Sequence, residues 1–241
     1  MHVRSVLLAL TLMMAACAPN EGVSSSSQPQ TTITASPTSS TTVPTATTTA
    51  TVPPVSTVLL PWGGEVVPGA QLRLIVPDGW SIGDGGYISK GDPDDPPNWM
   101  AAGSSIVANI FADRCEWVTT RLNPLVGPTV DDLATAFAEV WGFDATVPVD
   151  VVVDGFAGKG MVLTVPTGVD FADCDQGHFQ GWVDAGGGYR WYQGPGQIEQ
   201  LWILDVEGDR LLINATHFPE TSPQDRAELQ QITDSIQIES K

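Results

Sequence analysis

Four groups of side chains have the types and spacing to do chemistry. Asp92, Asp94 and Asp95 lie in Gly91-Asp92-Pro93-Asp94-Asp95-Pro96-Pro97, and Asp170, Asp173 and Asp175 flank Cys174. Hard cations such as Ca²⁺ need several oxygen ligands at close quarters, which such clusters could supply. Neither has the spaced Asp/Asn, central Gly and terminal Glu of an EF-hand loop. The prolines of the first read as a solvated turn, and no metal is expected. Asp205, Glu207 and Asp209 invite a glycosidase reading, in which two carboxylates flank the scissile bond. Glu207-Gly208-Asp209, however, has the composition of a hairpin turn, where Asp and Gly serve the backbone. His178 and His217 are the only histidines besides His2. No Gly-x-Ser-x-Gly elbow accompanies them, and two isolated histidines lack metal-ligand spacing. His217 shares the phase of Leu211, Ile213 and Ala215, which fits a core or sheet-edge position. No catalytic residue and no cofactor is assigned.

Aromatic residues make the third group. The chain has 8 Trp, and Trp182, Tyr189, Trp191, Tyr192 and Trp202 crowd around Gly186-Gly187-Gly188. Aromatic faces on a Gly-rich loop can line a groove for sugar or lipid. The competing reading is packing: Trp182 and Trp202 are expected to fill the core, while Trp191 and Tyr192 stay open between core and groove. Trp182, Tyr189, Trp191 and Tyr192 are the candidate ligand-binding set.

The fourth group is the three cysteines. Residues 1–17 read as an export signal, with Arg4 as a short basic region, an apolar stretch from Val6 to Met14 and small residues before Cys17. The uncharged run of residues 5–18 is too short for the roughly 20 residues that cross a bilayer. Met14-Ala15-Ala16-Cys17 resembles the bacterial lipobox, with Met in place of the usual Leu. Cys17 would then be lipidated, and several acyl chains make attachment stable. The alternative is ordinary secretion with an incidental Cys17. Cys115 and Cys174 remain as an even pair in an exported chain, where disulfides persist, and are expected to be bridged. Free thiols or a catalytic Cys are the rivals, and neither residue sits in a nucleophile signature.

Between Glu21 and Thr57, 25 of 37 residues are Ser, Thr or Pro. With few large side chains to bury, residues 18–57 are expected to form a disordered linker, with a composition that suits O-glycosylation. Formal charge is −18 over 241 residues. Arg4 and Glu21 cancel, so residues 58–241 carry all of it. That excludes charge-driven binding of nucleic acid or anionic lipid, both of which need Lys/Arg clusters.

The elements behind these groups are mostly strands. Residues 71–76, 105–112, 148–153, 159–165, 179–183, 198–206 and 210–218 have strand character, the last two joined through Glu207-Gly208-Asp209. A loop over residues 154–158 joins the third and fourth. Thr129 can cap a helix with Asp131 and Asp132 in its first turn, Leu133, Phe137, Val140 and Trp141 as its apolar stripe and Gly142 as its stop. Ser222-Pro223 opens a second, burying Leu229, Ile232 and Ile236. Hairpins without any βαβ repeat predict an α+β domain over residues 58–241, an antiparallel β-sheet with two helices packed on one face.

A resemblance adds placement. Trp191-Tyr192-Gln193-Gly194-Pro195-Gly196-Gln197, then residues 201–208, 215–219, 227–229 and 234–236, look like a recurrent extracytoplasmic domain of actinobacterial lipoproteins. Cys115-Glu116-Trp117 and Asp173-Cys174-Asp175 resemble the same domain. The layout is similar, more loosely, to the PsbP-like α/β sandwich of LpqN-type lipoproteins. These likenesses imply a place in the cell envelope and transfer no catalytic residue. The expectation is a lipoprotein held by Cys17 at the extracytoplasmic face of the membrane, or secreted if Cys17 is not lipidated. Its domain is read as a non-catalytic binding or interaction module for an envelope lipid, a glycan or a basic protein. An envelope hydrolase using carboxylates or a metal, and a purely structural component, are the alternatives.

Overall fold

The computed structural model describes residues 54–63, 70–83 and 85–240. The chain divides into two units, Met1–Thr49 and Ala50–Lys241, and all described residues belong to the second. The expected signal, the lipidation site at Cys17 and nearly all of the linker lie outside the described residues.

Fourteen strands and two α-helices make up the described unit. In chain order they are β1 (Val55–Pro61), β2 (Gln71–Pro77), β3 (Ser81–Gly83), β4 (Tyr87–Lys90), β5 (Met100–Ser105) and β6 (Val107–Ile110). After α1 (Val130–Glu139) come β7 (Asp144–Ala145), β8 (Val149–Val153), β9 (Phe156–Thr164), β10 (Gln180–Asp184) and β11 (Tyr189–Trp191). The chain closes with β12 (Ile198–Val206), β13 (Asp209–His217), α2 (Pro223–Asp234) and β14 (Gln237–Glu239). A central sheet runs β3-β4-β5-β13-β12-β9-β7, with β8 also pairing β9, and every pairing in it is antiparallel. Two three-stranded sheets, β1-β2-β14 and β11-β10-β6, complete the fold.

This arrangement corrects the expected one. The protein is sheet-rich, with three sheets, and the two helices do not share a face. Side chains of a strand alternate between faces. From β12 and β13, Leu204, Leu211, Ile213 and Ala215 point one way and cluster with Leu229 and Ile232 of α2 and with Leu60, Leu72, Leu74 and Ile238 of the β1-β2-β14 sheet. Leu201, Ile203 and Leu212 point the other way, to Leu133 and Phe137 of α1 and Ile110 and Trp182 of the β11-β10-β6 sheet. The reason lies in Leu211-Leu212-Ile213 and Ile203-Leu204: strands apolar at consecutive positions must bury both faces, so each face needs its own cover.

Local chemistry explains the element ends. Val206 pairs with Asp209 and Val153 with Phe156, leaving Glu207-Gly208 and Asp154-Gly155 as two-residue turns. All four residues have positive φ (56°, 92°, 48° and 87°), as the hairpin turn matched to strand twist requires. The second turn is therefore tighter than the five-residue loop expected. Thr129 caps α1 reciprocally: its hydroxyl accepts from Asp132 N at 3.1 Å and Asp132 Oδ2 accepts from Thr129 N at 2.9 Å. Helix α1 ends at Glu139, before the expected stop, and leaves Trp141 68% exposed rather than in the stripe. Ser222 caps α2, accepting from Asp225 N at 3.1 Å, with Pro223 in the first turn. Residues 105–112 are not one strand. The chain leaves β5 in the central sheet and enters β6, which pairs with β10 in a covering sheet.

Candidate functional site

Where the β10–β11 hairpin overlies the α1 side of the central sheet, the packing opens into a cleft of about 820 Å³. That is the size of a small-molecule site. The hairpin turns through residues 185–188, closed by Asp184 N to Gly188 O at 2.8 Å and Gly187 N to Asp184 O at 2.9 Å. Gly187 takes φ +86° there, the reason a Gly-rich segment is needed. Beyond the turn, Tyr189, Arg190 and Trp191 reach the cleft, and Tyr192 follows them.

Arg190 is held from beneath. Its Nε donates to Glu199 Oε1 at 2.9 Å and its Nη2 lies 2.9 Å from the same oxygen. Its Nη1 donates to the carbonyl of Trp191, and the guanidinium lies 4.5 Å over the Tyr192 ring. Glu199 is 0% exposed. Asn214 Nδ2 also donates to its Oε1, at 3.0 Å, and the Tyr192 hydroxyl donates to its Oε2. Burial, and then the charge of Glu199, hold the Tyr192 hydroxyl well above the usual tyrosine range, so it stays a donor. Beside this group, Gln197 donates to Gln193 Oε1 at 2.9 Å and to Thr216 Oγ1 at 2.8 Å. Arg190 Nη2 is buried and makes no hydrogen bond of its own, but both Glu199 oxygens are engaged, and such a buried charge pair is a stiff floor, costly to disturb.

Asp184 differs. It lines the cleft, accepts from Trp182 Nε1 at 3.1 Å and is bonded by Ser105. Burial pushes its carboxyl up to about 6, against the opposing pull of Ser105, Trp182 and the Arg190 charge. A carboxylate left undercompensated in a cleft is one signature of a functional position.

Aromatic rings form the rim. Trp191 is 50%, Tyr189 43% and Tyr87 40% exposed. His178 packs against Trp191 with ring centres 4.6 Å apart, and Trp117 against Tyr189 at 5.7 Å. Arg121 Nη2 donates to the Tyr189 hydroxyl at 3.0 Å. The Tyr87 ring lies across Gly83, where a Cβ would come 2.2 Å from its Cζ. The Cys115–Cys174 disulfide joins the two loops that carry Trp117 and His178, so it braces both sides of the rim. Asp175 reinforces the junction, accepting from Val118 N through Oδ2 and from Trp117 Nε1 through its carbonyl, both at 2.9 Å.

Of the four aromatic candidates, Tyr189, Trp191 and Tyr192 come together at the cleft. Trp182 is wholly buried against Phe137 in the core. Arg190, Glu199, Asp184 and Asn214 were not singled out from the sequence. Glu199 carried a legible signal: with Leu201 and Ile203 it occupies the inward phase of β12, where a charge needs a partner.

The other carboxylate groups serve their own turns and loops. Asp92 Oδ1 accepts from Asp94 N at 3.0 Å, Asp95 Oδ2 from Asn98 Nδ2 at 2.8 Å, Asp170 Oδ1 from Ala172 N at 2.9 Å and Asp205 Oδ1 from Gly208 N at 3.0 Å. Among the described residues, no three His, Cys, Asp or Glu side chains are placed to hold a metal ion. His217 is half-buried, with Nδ1 2.9 Å from the carbonyl of Phe218. A shallower groove of about 650 Å³ lies beside α1 and β8, where Lys159 pairs with Asp150 at 2.6 Å and Asp131 at 3.4 Å. Arg210 there is engaged by the carbonyls of Gly127, Thr129 and Val107. No helix among the described residues is long and apolar enough to cross a membrane.

No family model matches the chain, and no curated protein matches it. Among solved structures, it is similar to the crystal structure of LpqN, involved in cell envelope biogenesis of Mycobacterium tuberculosis. The TM-score is 0.40 and the identity 11%, over 77% of this chain and 92% of that one. The likeness to an LpqN-type lipoprotein is a loose one, and the resemblance to the recurrent actinobacterial domain has no match behind it.

Proposed function

We propose that the protein is a bacterial envelope lipoprotein, anchored through Cys17, whose folded domain is a non-catalytic binding module that takes a small organic ligand in the cleft under the β10–β11 hairpin. Envelope placement rests on the N-terminal sequence: an export signal, a cysteine at the cleavage point and a neutral Ser/Thr/Pro tether. The binding reading rests on one observation, three partly exposed aromatic rings around a cleft floored by the Arg190–Glu199 ion pair, in which both Glu199 oxygens accept hydrogen bonds. A rigid polar floor with apolar stacking faces suits recognition. It suits carboxylate chemistry less, because both oxygens of Glu199 are occupied and its side chain is closed to the cleft.

Native mass spectrometry of the full chain from its own host tests the module. A small molecule retained by the wild type and lost from Trp191→Ala is the expected result. A wild type carrying no small molecule, with unchanged spectra for Trp191→Ala, overturns it. Cys17→Ser should release the protein to the medium, and unchanged membrane association sinks the anchor.

A further inference from the structure

The cleft's charge narrows what it takes, and this step rests on the binding reading above. Arg190 is the cleft's one arginine and no lysine lines it; its Nε and Nη1 donate to Glu199 and the Trp191 carbonyl, and its Nη2, which makes no hydrogen bond, is buried beside Glu199. Within the cleft an anionic headgroup or phosphate would therefore meet only a guanidinium whose charge Glu199 already offsets, while Arg121 at the rim is engaged by the Tyr189 hydroxyl and ring. Asp184 and Asp94 are the carboxylates that line the space, in a unit whose residues 58–241 hold the entire −18. Such a field draws cations toward a cleft and repels anions. The exposed parts of Trp191, Tyr87 and Tyr189, the last already 6.0 Å from the Arg121 guanidinium, add attraction, since the π-face of an aromatic ring is negative. Burial withdraws Asp184 from water further than Ser105, Trp182 and Arg190 compensate, and its carboxyl sits near 6 for that reason. A positive group beside it would supply the missing charge.

We propose that the cleft recognises an organic cation, an ammonium-bearing group seated against the exposed rings of Trp191, Tyr189 and Tyr87 with Asp184 as its counter-charge. The charged and titratable groups around Asp184 are Arg190 on the hairpin, Glu199 behind it on β12, and His178 and Asp94 across the cleft. Arg190 and Glu199 offset each other, so proton-linked binding falls to Asp184, with His178 as the group to control for.

Choline and its neutral isostere 3,3-dimethylbutan-1-ol differ in the charge and share the shape. Titrations of the full chain, followed by the indole N–H signal of Trp191, should show choline binding at least tenfold tighter at pH 7.5. Its affinity should fall about tenfold by pH 5 as Asp184 takes up a proton. Asp184→Asn should abolish both effects while keeping the native tryptophan emission, and His178→Gln should retain both. Equal affinity for the two probes, or a response to glucose alone, overturns the cation and leaves the binding module standing. Silence toward choline, the alcohol and glucose, with no co-purified molecule, overturns both. A pH dependence that survives Asp184→Asn and disappears in His178→Gln removes Asp184 from the role.

Discussion

The two faces of the central sheet are built on opposite principles. Toward α2, the core members of β12 and β13 are hydrocarbon, Leu204, Val206, Leu211, Ile213 and Ala215, with Trp202 half-buried and Gln200 exposed at the end of the same phase. Toward α1, the same strands begin with hydrocarbon at Leu201, Ile203 and Leu212 but change to Glu199, Asn214 and Thr216 at the other end. There a hairpin replaces the helix as cover, and the packing opens into the cleft. Apolar side chains interdigitate without direction, whereas a buried Glu199 requires Arg190, Tyr192 and Asn214 at fixed places. One face stabilises the fold, and the other spends stability on holding polar groups in position.

Substitutions on each face separate these roles. The largest loss is expected from Glu199→Ala, which leaves Arg190 buried without its counter-charge, about 3–5 kcal/mol by chemical denaturation. A cost below about 1 kcal/mol would mean the polar face is not rigidly coupled. On the closed face, Leu211→Ala should cost about 3 kcal/mol through cavity formation and leave ligand binding intact. Altered binding in that variant would join the two faces that the structure separates.

Asp184→Asn should stabilise, with a pH signature. The folded carboxyl lies near 6 against 3.8 in the free state, so the folded chain binds the proton more tightly. Its contribution is complete below about pH 4 and is lost as pH rises through 6. The variant should therefore match wild type at pH 4 and exceed it by up to about 2–3 kcal/mol at pH 7.5. A pH-independent difference would show that Asp184 is not strained by burial. Smallest of all, Trp141→Ala should change stability by less than about 0.5 kcal/mol, since its ring projects into solvent.

Much of the scaffold is legible in the sequence. The β12–β13 hairpin follows from alternating apolar runs around Glu207-Gly208, both helix starts from Thr129 and Ser222, and the Cys115–Cys174 bridge from an even pair in a chain whose N-terminus reads as an export signal. Strand β5 was missed because Met-Ala-Ala-Gly-Ser-Ser lacks β-branched and aromatic residues, and its six positions form a strand because they are buried on both faces. Trp141 was misplaced because helical periodicity carries a stripe past the point where Gly142, at φ +118°, turns the chain. Of the site, the aromatic cluster could be seen and the Arg190–Glu199–Tyr192 group could not, since its members are partners only after β12 and the hairpin are brought together.

The sequence by itself determined the local facts: where chains turn, how helices are capped, which cysteines pair and where the −18 resides. Those depend on neighbours within a few residues or on simple counts. Only the tertiary structure decided that the helices cover opposite faces and that Tyr192 is buried while Trp191 is rim. It alone set Asp184 apart as the undercompensated carboxylate. Burial and field are sums over residues distant in the chain, and their value at any one side chain exists only once the sheets are stacked.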